Sequence, residues 1–143
     1  TLGSHVDYVA RKHLKEIGLD YNHGTGHGVG HFLNVHENPP NISKSSRCKF
    51  FEGQIMSNEP GFYLKDNFGI RLENLMYVEK KDKKMKFKSL TLVPFEKDMI
   101  EKKYLTKKEI EWINNYHLGV FNKLSYFMNK KEKKFLDKYC SPI

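Results

Sequence analysis

Apolar residues at Val6, Val9, Ala10, Leu14 and Ile17 recur at helical spacing and predict a helix that begins at Ser4. Ser4 and Asp7 stand at the S-x-x-D spacing of a capping box, with aspartate in place of the usual Glu or Gln, and Gly18 falls where a helix C-terminal cap belongs. Residues 23–39, HGTGHGVGHFLNVHENP, follow no helical period and read as polar strand and loop, closed by Pro39-Pro40. An irregular stretch leads to a strand over residues 54–59, ended by the Pro60-Gly61 turn. Residues 69–79 alternate as a second strand, with Ile70, Leu72, Met76 and Val78 on one face and Arg71, Glu73, Leu75 and Tyr77 on the other. A third strand is expected over about residues 85–93. Thr106 and Glu109 then form a T-x-x-E capping box, and Ile110, Ile113, His117, Val120, Phe121, Leu124 and Met128 form an apolar stripe. Asn129 and Glu132 suggest a second cap and a short last helix. A helix, then strands, then helices favours an α+β fold.

Composition narrows the classes. The 143 residues suffice for one compact domain, and 38% hydrophobic with 13% aromatic residues can build a core. No apolar run approaches the roughly 20 residues of a membrane span, so no membrane association is expected. The N-terminus has no signal-peptide pattern, and the absence of an initiator Met is consistent with a piece of a longer chain. Two cysteines, Cys48 and Cys140, imply reduced thiols rather than a disulfide framework. The net charge of +8 comes almost wholly from lysine, since only Arg11, Arg47 and Arg71 are arginines. Nucleic-acid readers favour arginine, so EKKDKKMKFK (residues 79–88) and NKKEKK (residues 129–134) read as solvated faces, and no nucleic-acid partner is expected.

The chemistry concentrates in the histidine-glycine stretch. It is no dinucleotide fingerprint, because G-x-G-x-x-G requires glycine at Val29 or His31, and no zincin, because prolines follow His36-Glu37. No P-loop lysine is present. Gly26 and Gly28 flank His27 and open the imidazole to a metal or substrate, although a glycine turn with solvated histidines accounts for the segment equally well. Two glutamates shift the balance. Glu59 ends a strand, and Glu73 lies in an otherwise apolar strand, where a carboxylate is costly unless paired or metal-bound. Arg71 shares the face of Glu73 and is the alternative ion-pair partner. One imidazole and two carboxylates suit Mn²⁺, Co²⁺ or Zn²⁺.

HGTGHGVGHFLNVHE, SNEPGFY and FGIRLEN, in that order, resemble the Xaa-Pro aminopeptidases among the pita-bread metallopeptidases of family M24. SLTLVPFEKDMI and LTKKEIEWINNYH resemble the C-terminal extension of the eukaryotic cytosolic type, so the likeness covers nearly the whole chain. The resemblance implies the C-terminal half of the pita-bread fold over residues 1–86 and a strand-and-helix extension over residues 87–143. It implies two metal ions, usually manganese, with His27, Glu59 and Glu73 as ligands. Glu59 would also exchange protons with the nucleophile, and Glu73 would bridge the ions. His36 would contact the substrate carbonyl, His23 would line the proline pocket, and Arg71 would orient the carboxylate ligands. The implied substrates are peptides with proline in second position. A homodimer, formed in part through the tail around Trp112–Leu118, and a cytoplasmic location follow from the same likeness. His31 reads as incidental, His5 and His13 as surface residues, and His117 as a packed or interface residue.

The family's two aspartate ligands precede its histidine ligand. Here only Asp7 and Asp20 do so, and neither sits in a matching strand. The resemblance therefore implies that an N-terminal half carries them and that this chain alone binds metal poorly and is inactive. Prolidases and methionine aminopeptidases share the fold, and a non-catalytic peptide-binding relative is a further alternative.

Overall fold

The computed structural model describes residues 1–32 and 34–143, so Leu33 of the histidine-glycine segment lies outside the described residues. The chain divides into two compact units, Thr1–Thr91 and Leu92–Ile143.

In the first unit α1 spans Gly3–Glu16 and ends as expected: Gly18 takes a positive φ of 76° and its N–H donates to the Lys15 carbonyl. Its start differs from the sequence expectation. Leu2 is the N-cap and no side chain caps the helix, so Ser4 and Asp7 form no capping box. Asp7 is instead buried and its carboxylate receives Arg11 Nε at 2.8 Å, one turn further on. The first amides of the helix, Gly3 and Ser4, already donate to the Cys48 and Ser46 carbonyls, which leaves the carboxylate to the oppositely charged Arg11 at i+4.

Seven strands follow among the described residues. β1 (Gly26–His27) and β2 (Asn41–Ile42) form a short antiparallel pair. β3 (Ile55–Asn58), β6 (Asn74–Lys81) and β7 (Lys84–Ser89) form an antiparallel sheet in the order β3-β6-β7. β4 (Gly61–Leu64) and β5 (Phe68–Arg71) form a separate hairpin. β3 ends before Pro60-Gly61, as expected, and a new strand opens at Gly61, opposite Arg71. The hairpin corrects one expectation. The strand foreseen over residues 69–79 is two strands, broken at Leu72 and Glu73, each paired to a different partner. Ile42, Met56, Met76 and Val78 form the core, with Val6 and Phe50 packed against it. Burying a side chain of that size contributes about 1.5–3 kcal/mol.

In the second unit α2 (Lys107–Leu124) begins at Thr106 with the expected capping box, in which Thr106 Oγ accepts from Glu109 N–H. A 3₁₀ turn over Ser125–Phe127 leads to α3 (Lys130–Cys140), capped by Asn129 and Glu132 as expected. Val120, Leu136 and Cys140 form this unit's core, with Phe121 and Leu124 of the foreseen stripe against it. His117 is fully buried and its Nε2 accepts from the Phe95 N–H at 3.0 Å, a packed role. Burial holds its imidazole below its ordinary range, and the Lys97 charge adds to the effect. Both cysteines are free. Among the described residues no helix is long and apolar enough to cross a membrane.

Candidate functional site

β1 carries His27 beside β3, and the loop after β3 carries Glu59. His27 N–H donates to Ser57 Oγ at 3.0 Å, and Ser57 Oγ donates onward to Glu59 Oε1 at 3.0 Å. The Glu59 N–H reaches back to the Thr25 carbonyl at 2.7 Å. These bonds bring His27 Nε2 to 3.2 Å from Glu59 Oε1, with Glu59 buried.

The glycines beside His27 have a different purpose from the one expected. A Cβ on Gly26 would overlap the Ser57 carbonyl, and one on Gly28 would overlap the Glu37 carbonyl. They admit neighbouring backbone, and so set the spacing of His27, rather than leave room for a ligand.

The hydrogen-bond directions fix two tautomers. His27 Nδ1 lies 2.8 Å from the Gly28 carbonyl and must donate to it, which leaves the lone pair of a neutral ring on Nε2, facing a carboxylate. Two electron-pair donors so placed require a proton or a metal cation between them. Ligand atoms each about 2.1 Å from one ion and at right angles stand about 3 Å apart, close to the spacing found. The pair therefore fits one edge of a divalent-metal coordination sphere. Glu73 lines the same hollow of about 460 Å³ as His27, Ser57, Val35 and Leu75. Among the described residues no three His, Cys, Asp or Glu side chains are grouped to hold a metal ion. Asp7 and Asp20 are engaged elsewhere. Asp7 meets Arg11 and Thr25, while Lys44, with help from Arg11, holds the Asp20 carboxyl below the usual carboxylate range.

A second arm runs from Glu59 to His23. Arg71 Nη1 donates to Glu59 Oε2 at 3.0 Å and Arg71 Nε to the Tyr63 hydroxyl at 2.8 Å. Tyr63 then donates to His23 Nε2 at 2.8 Å, and His23 Nδ1 donates to the Gly24 carbonyl at 2.7 Å. The Tyr63 bond raises the Arg71 guanidinium above its ordinary range, so Arg71 is a fixed cation. Arg71 thus pairs with Glu59 and not with Glu73 as the strand pattern suggested, since the strand is interrupted between β5 and β6 and Glu73 is exposed. His36 lies beside His27 with ring centroids 4.1 Å apart and the rings tilted by 44°. His5 and His13 are exposed, as expected, and so is His31.

Sequence reasoning missed Tyr63, Ser57 and Arg11. Arg11 is 1% exposed and donates to Asp7, to Asp20 at 2.6 Å, and to the carbonyls of Tyr21 at 2.6 Å and His23 at 2.5 Å. Its guanidinium lies 3.8 Å over the Tyr21 ring. Burial opposes the Arg11 charge, but the bonds to Asp7 and Asp20 outweigh it and raise its affinity for the proton. The available signal was i, i+4 Asp7–Arg11 spacing on the predicted helix.

Comparison with known proteins assigns the family. Residues 1–80 match the model described as metallopeptidase family M24, and residues 83–143 match the C-terminal region of peptidase M24. The chain belongs to metallopeptidase family M24. It is 40% identical to Xaa-Pro aminopeptidase app-1 of Caenorhabditis elegans over 99% of its length, which is 25% of that protein. It is 45% identical to the probable Xaa-Pro aminopeptidase P of Arthroderma gypseum over 100% of its length, again 25% of the relative. The crystal structure of the X-prolyl aminopeptidase from Caenorhabditis elegans, described as a cytosolic enzyme with a di-nuclear active site, superposes with a TM-score of 0.90 at 40% identity. That match covers 100% of this chain and 25% of the other. A prolidase from Thermococcus sibiricus gives 0.52 at 34% identity, over 61% of this M24 chain and 23% of its own. The fold is α+β, that of the C-terminal half of the pita-bread architecture. The chain spans about a quarter of the length of the curated M24 relatives it matches.

Proposed function

We propose that this chain contributes part of the active site of a metal-dependent aminopeptidase that releases the N-terminal residue from peptides with proline in second position. The observation that carries the reading is the His27–Glu59 pair, two metal-seeking atoms 3.2 Å apart, in a chain similar along its whole length to an X-prolyl aminopeptidase.

His27, Glu59 and Glu73 would hold two divalent ions, manganese by preference, together with aspartates from an N-terminal half. When bound, the ions would supply a water activated near neutral pH and a polarised scissile carbonyl. Glu59 takes the proton released by the attacking water and passes it to the departing proline nitrogen. Arg71 keeps the Glu59 carboxylate turned toward His27, because its other arm is anchored on Tyr63. His36 donates to the carbonyl oxygen as negative charge develops there, a contribution of about 2.7–4 kcal/mol for one such donor. His23, its tautomer set by Tyr63, lines the proline pocket. The catalytic portion ends near residue 86 and the extension follows. Trp112 and Leu118, both exposed on α2, offer surface for a homodimer in the cytoplasm. Alone, the chain lacks the aspartates and binds metal poorly.

The test joins the chain to its natural upstream sequence and measures Mn²⁺-dependent release from Xaa-Pro-Xaa peptides beside Xaa-Ala-Xaa controls. Release from the proline peptides alone supports the proposal. No turnover with any peptide or metal would leave a peptide-binding module as the better reading.

A further inference from the structure

Four side chains between α1 and the candidate site are almost wholly buried: Asp7, Arg11, Tyr21 and Thr25, each at 1% exposure or less. They form one directed network. Tyr21 O–H meets Thr25 Oγ at 2.5 Å, Thr25 donates to Asp7 Oδ1 at 2.7 Å, and Arg11 Nε donates to Asp7 Oδ2 at 2.8 Å. Since the single Thr25 proton goes to Asp7, Tyr21 is the donor in the first bond. Two arms leave this network for the site. Arg11 holds the His23 carbonyl, and the Thr25 carbonyl receives the Glu59 N–H. His27 follows Thr25 by two residues on β1, so the same short segment places both members of the metal-seeking pair.

We infer that the Asp7–Arg11–Tyr21–Thr25 network is a positioning device that sets where His23, His27 and Glu59 stand relative to one another. A core of apolar residues would stabilise α1 against this segment at less desolvation cost, and would leave the segment free to slide. Four of the five guanidinium protons of Arg11 and both hydroxyl protons have a defined acceptor instead, and a buried network so directed fixes one arrangement. None of the four side chains reaches the hollow beside His27, so they act through the backbone they hold. The consequence is separable from fold stability, because a displacement of the order of 1 Å at catalytic groups costs about a hundredfold in rate.

The decisive pair of variants is Thr25→Val and Thr25→Ser in the full-length protein. Valine keeps the bulk and loses the hydroxyl; serine keeps the hydroxyl. This inference rests on the aminopeptidase reading only for its kinetic readout. The second readout, hydrogen exchange of the peptide covering residues 55–61, reports on the Glu59 amide directly. Expected for T25V is a fall in kcat of about tenfold or more with KM changed less than about twofold, and faster exchange in that peptide, with T25S close to wild type. A T25V protein that melts earlier yet keeps kcat and exchange unchanged would overturn the inference, since the network would then serve stability alone. If the wild type cleaves no Xaa-Pro peptide, the function reading fails and the exchange comparison alone decides the inference. Should T25V not fold, Tyr21→Phe, which keeps the ring beneath Arg11 and removes the first proton, carries the same readouts.

Discussion

Replacing Arg11 by methionine measures how much of the first unit depends on a buried charge. Methionine fills much of the same volume over the Tyr21 ring, so the loss is chiefly electrostatic and not a cavity. Asp7, itself 1% exposed, would keep the Thr25 hydrogen bond but lose its counter-charge, and the Tyr21 and His23 carbonyls would lose their donor. Leaving one member of a buried pair without its partner costs about 3–5 kcal/mol, and that figure already contains most of the carbonyl loss, because the groups relax together. Adding Asp7→Asn removes the stranded charge while the amide oxygen still accepts from Thr25. The double variant should therefore recover about 1–3 kcal/mol relative to Arg11→Met alone. Urea unfolding of the full-length protein, followed by circular dichroism with the slope checked for constancy, gives both differences. A cost below about 1 kcal/mol for Arg11→Met, or a double variant weaker than the single one, would refute the argument that an uncompensated Asp7 carboxylate is the main loss.

Four further outcomes follow from the same structure. Glu59→Gln should lower kcat by about a hundredfold or more with little change in KM, because the amide cannot carry the proton; steady-state kinetics on Xaa-Pro peptides checks this. Arg71→Lys should lower kcat/KM by about tenfold, since one ammonium cannot hold Tyr63 and Glu59 as the fork does, while the melting temperature barely moves because Arg71 is exposed. His117 is held below its ordinary value of 6.5, so the unfolded chain takes up the proton first as pH falls. The stability of the second unit is then full above pH 6.5 and declines below it, and His117→Gln should flatten that dependence in hydrogen exchange of α2 corrected for intrinsic rates. Thr106→Ala should cost about 1 kcal/mol and speed exchange in the first turn of α2, which calorimetry and exchange can read separately.

Where the sequence succeeded, the deciding interactions were local. The Gly18 cap, the Thr106 and Asn129 capping boxes and the stripe on α2 each depend on residues within one or two turns of each other. Where it failed, a distant partner decided. Asp7 was available to cap α1, but Thr25, eighteen residues on, and a buried Arg11 drew it inward. Glu73 and Arg71 share a period-2 face on paper, yet the pairing of β5 with β4 and of β6 with β3 breaks the strand between them. Tyr63 carried no signal, because an alternating aromatic in a hairpin looks the same whether or not its hydroxyl joins an arginine to a histidine. His23, His27, Glu59 and Arg71 were legible as a set only through their order in the motifs; one connected hydrogen-bond system now holds them.

The lysine-rich residues 79–88 acquire a meaning once β7 is seen at the end of its sheet. Every residue of β7 is exposed, and Lys84, Lys86 and Lys88 project from alternate positions of the terminal strand. Lys81 stands directly opposite Lys84, a like-charge pairing that weakens the hairpin itself. A second copy arriving edge to edge would have to bring its own row of lysines against this one, at a separation of about 5 Å and well inside the screening length. The hairpin gives up some of its own strength, and in return its charged edge resists templating fibre-like growth. Charge that looks like an invitation to partners works here as a barrier to self-assembly.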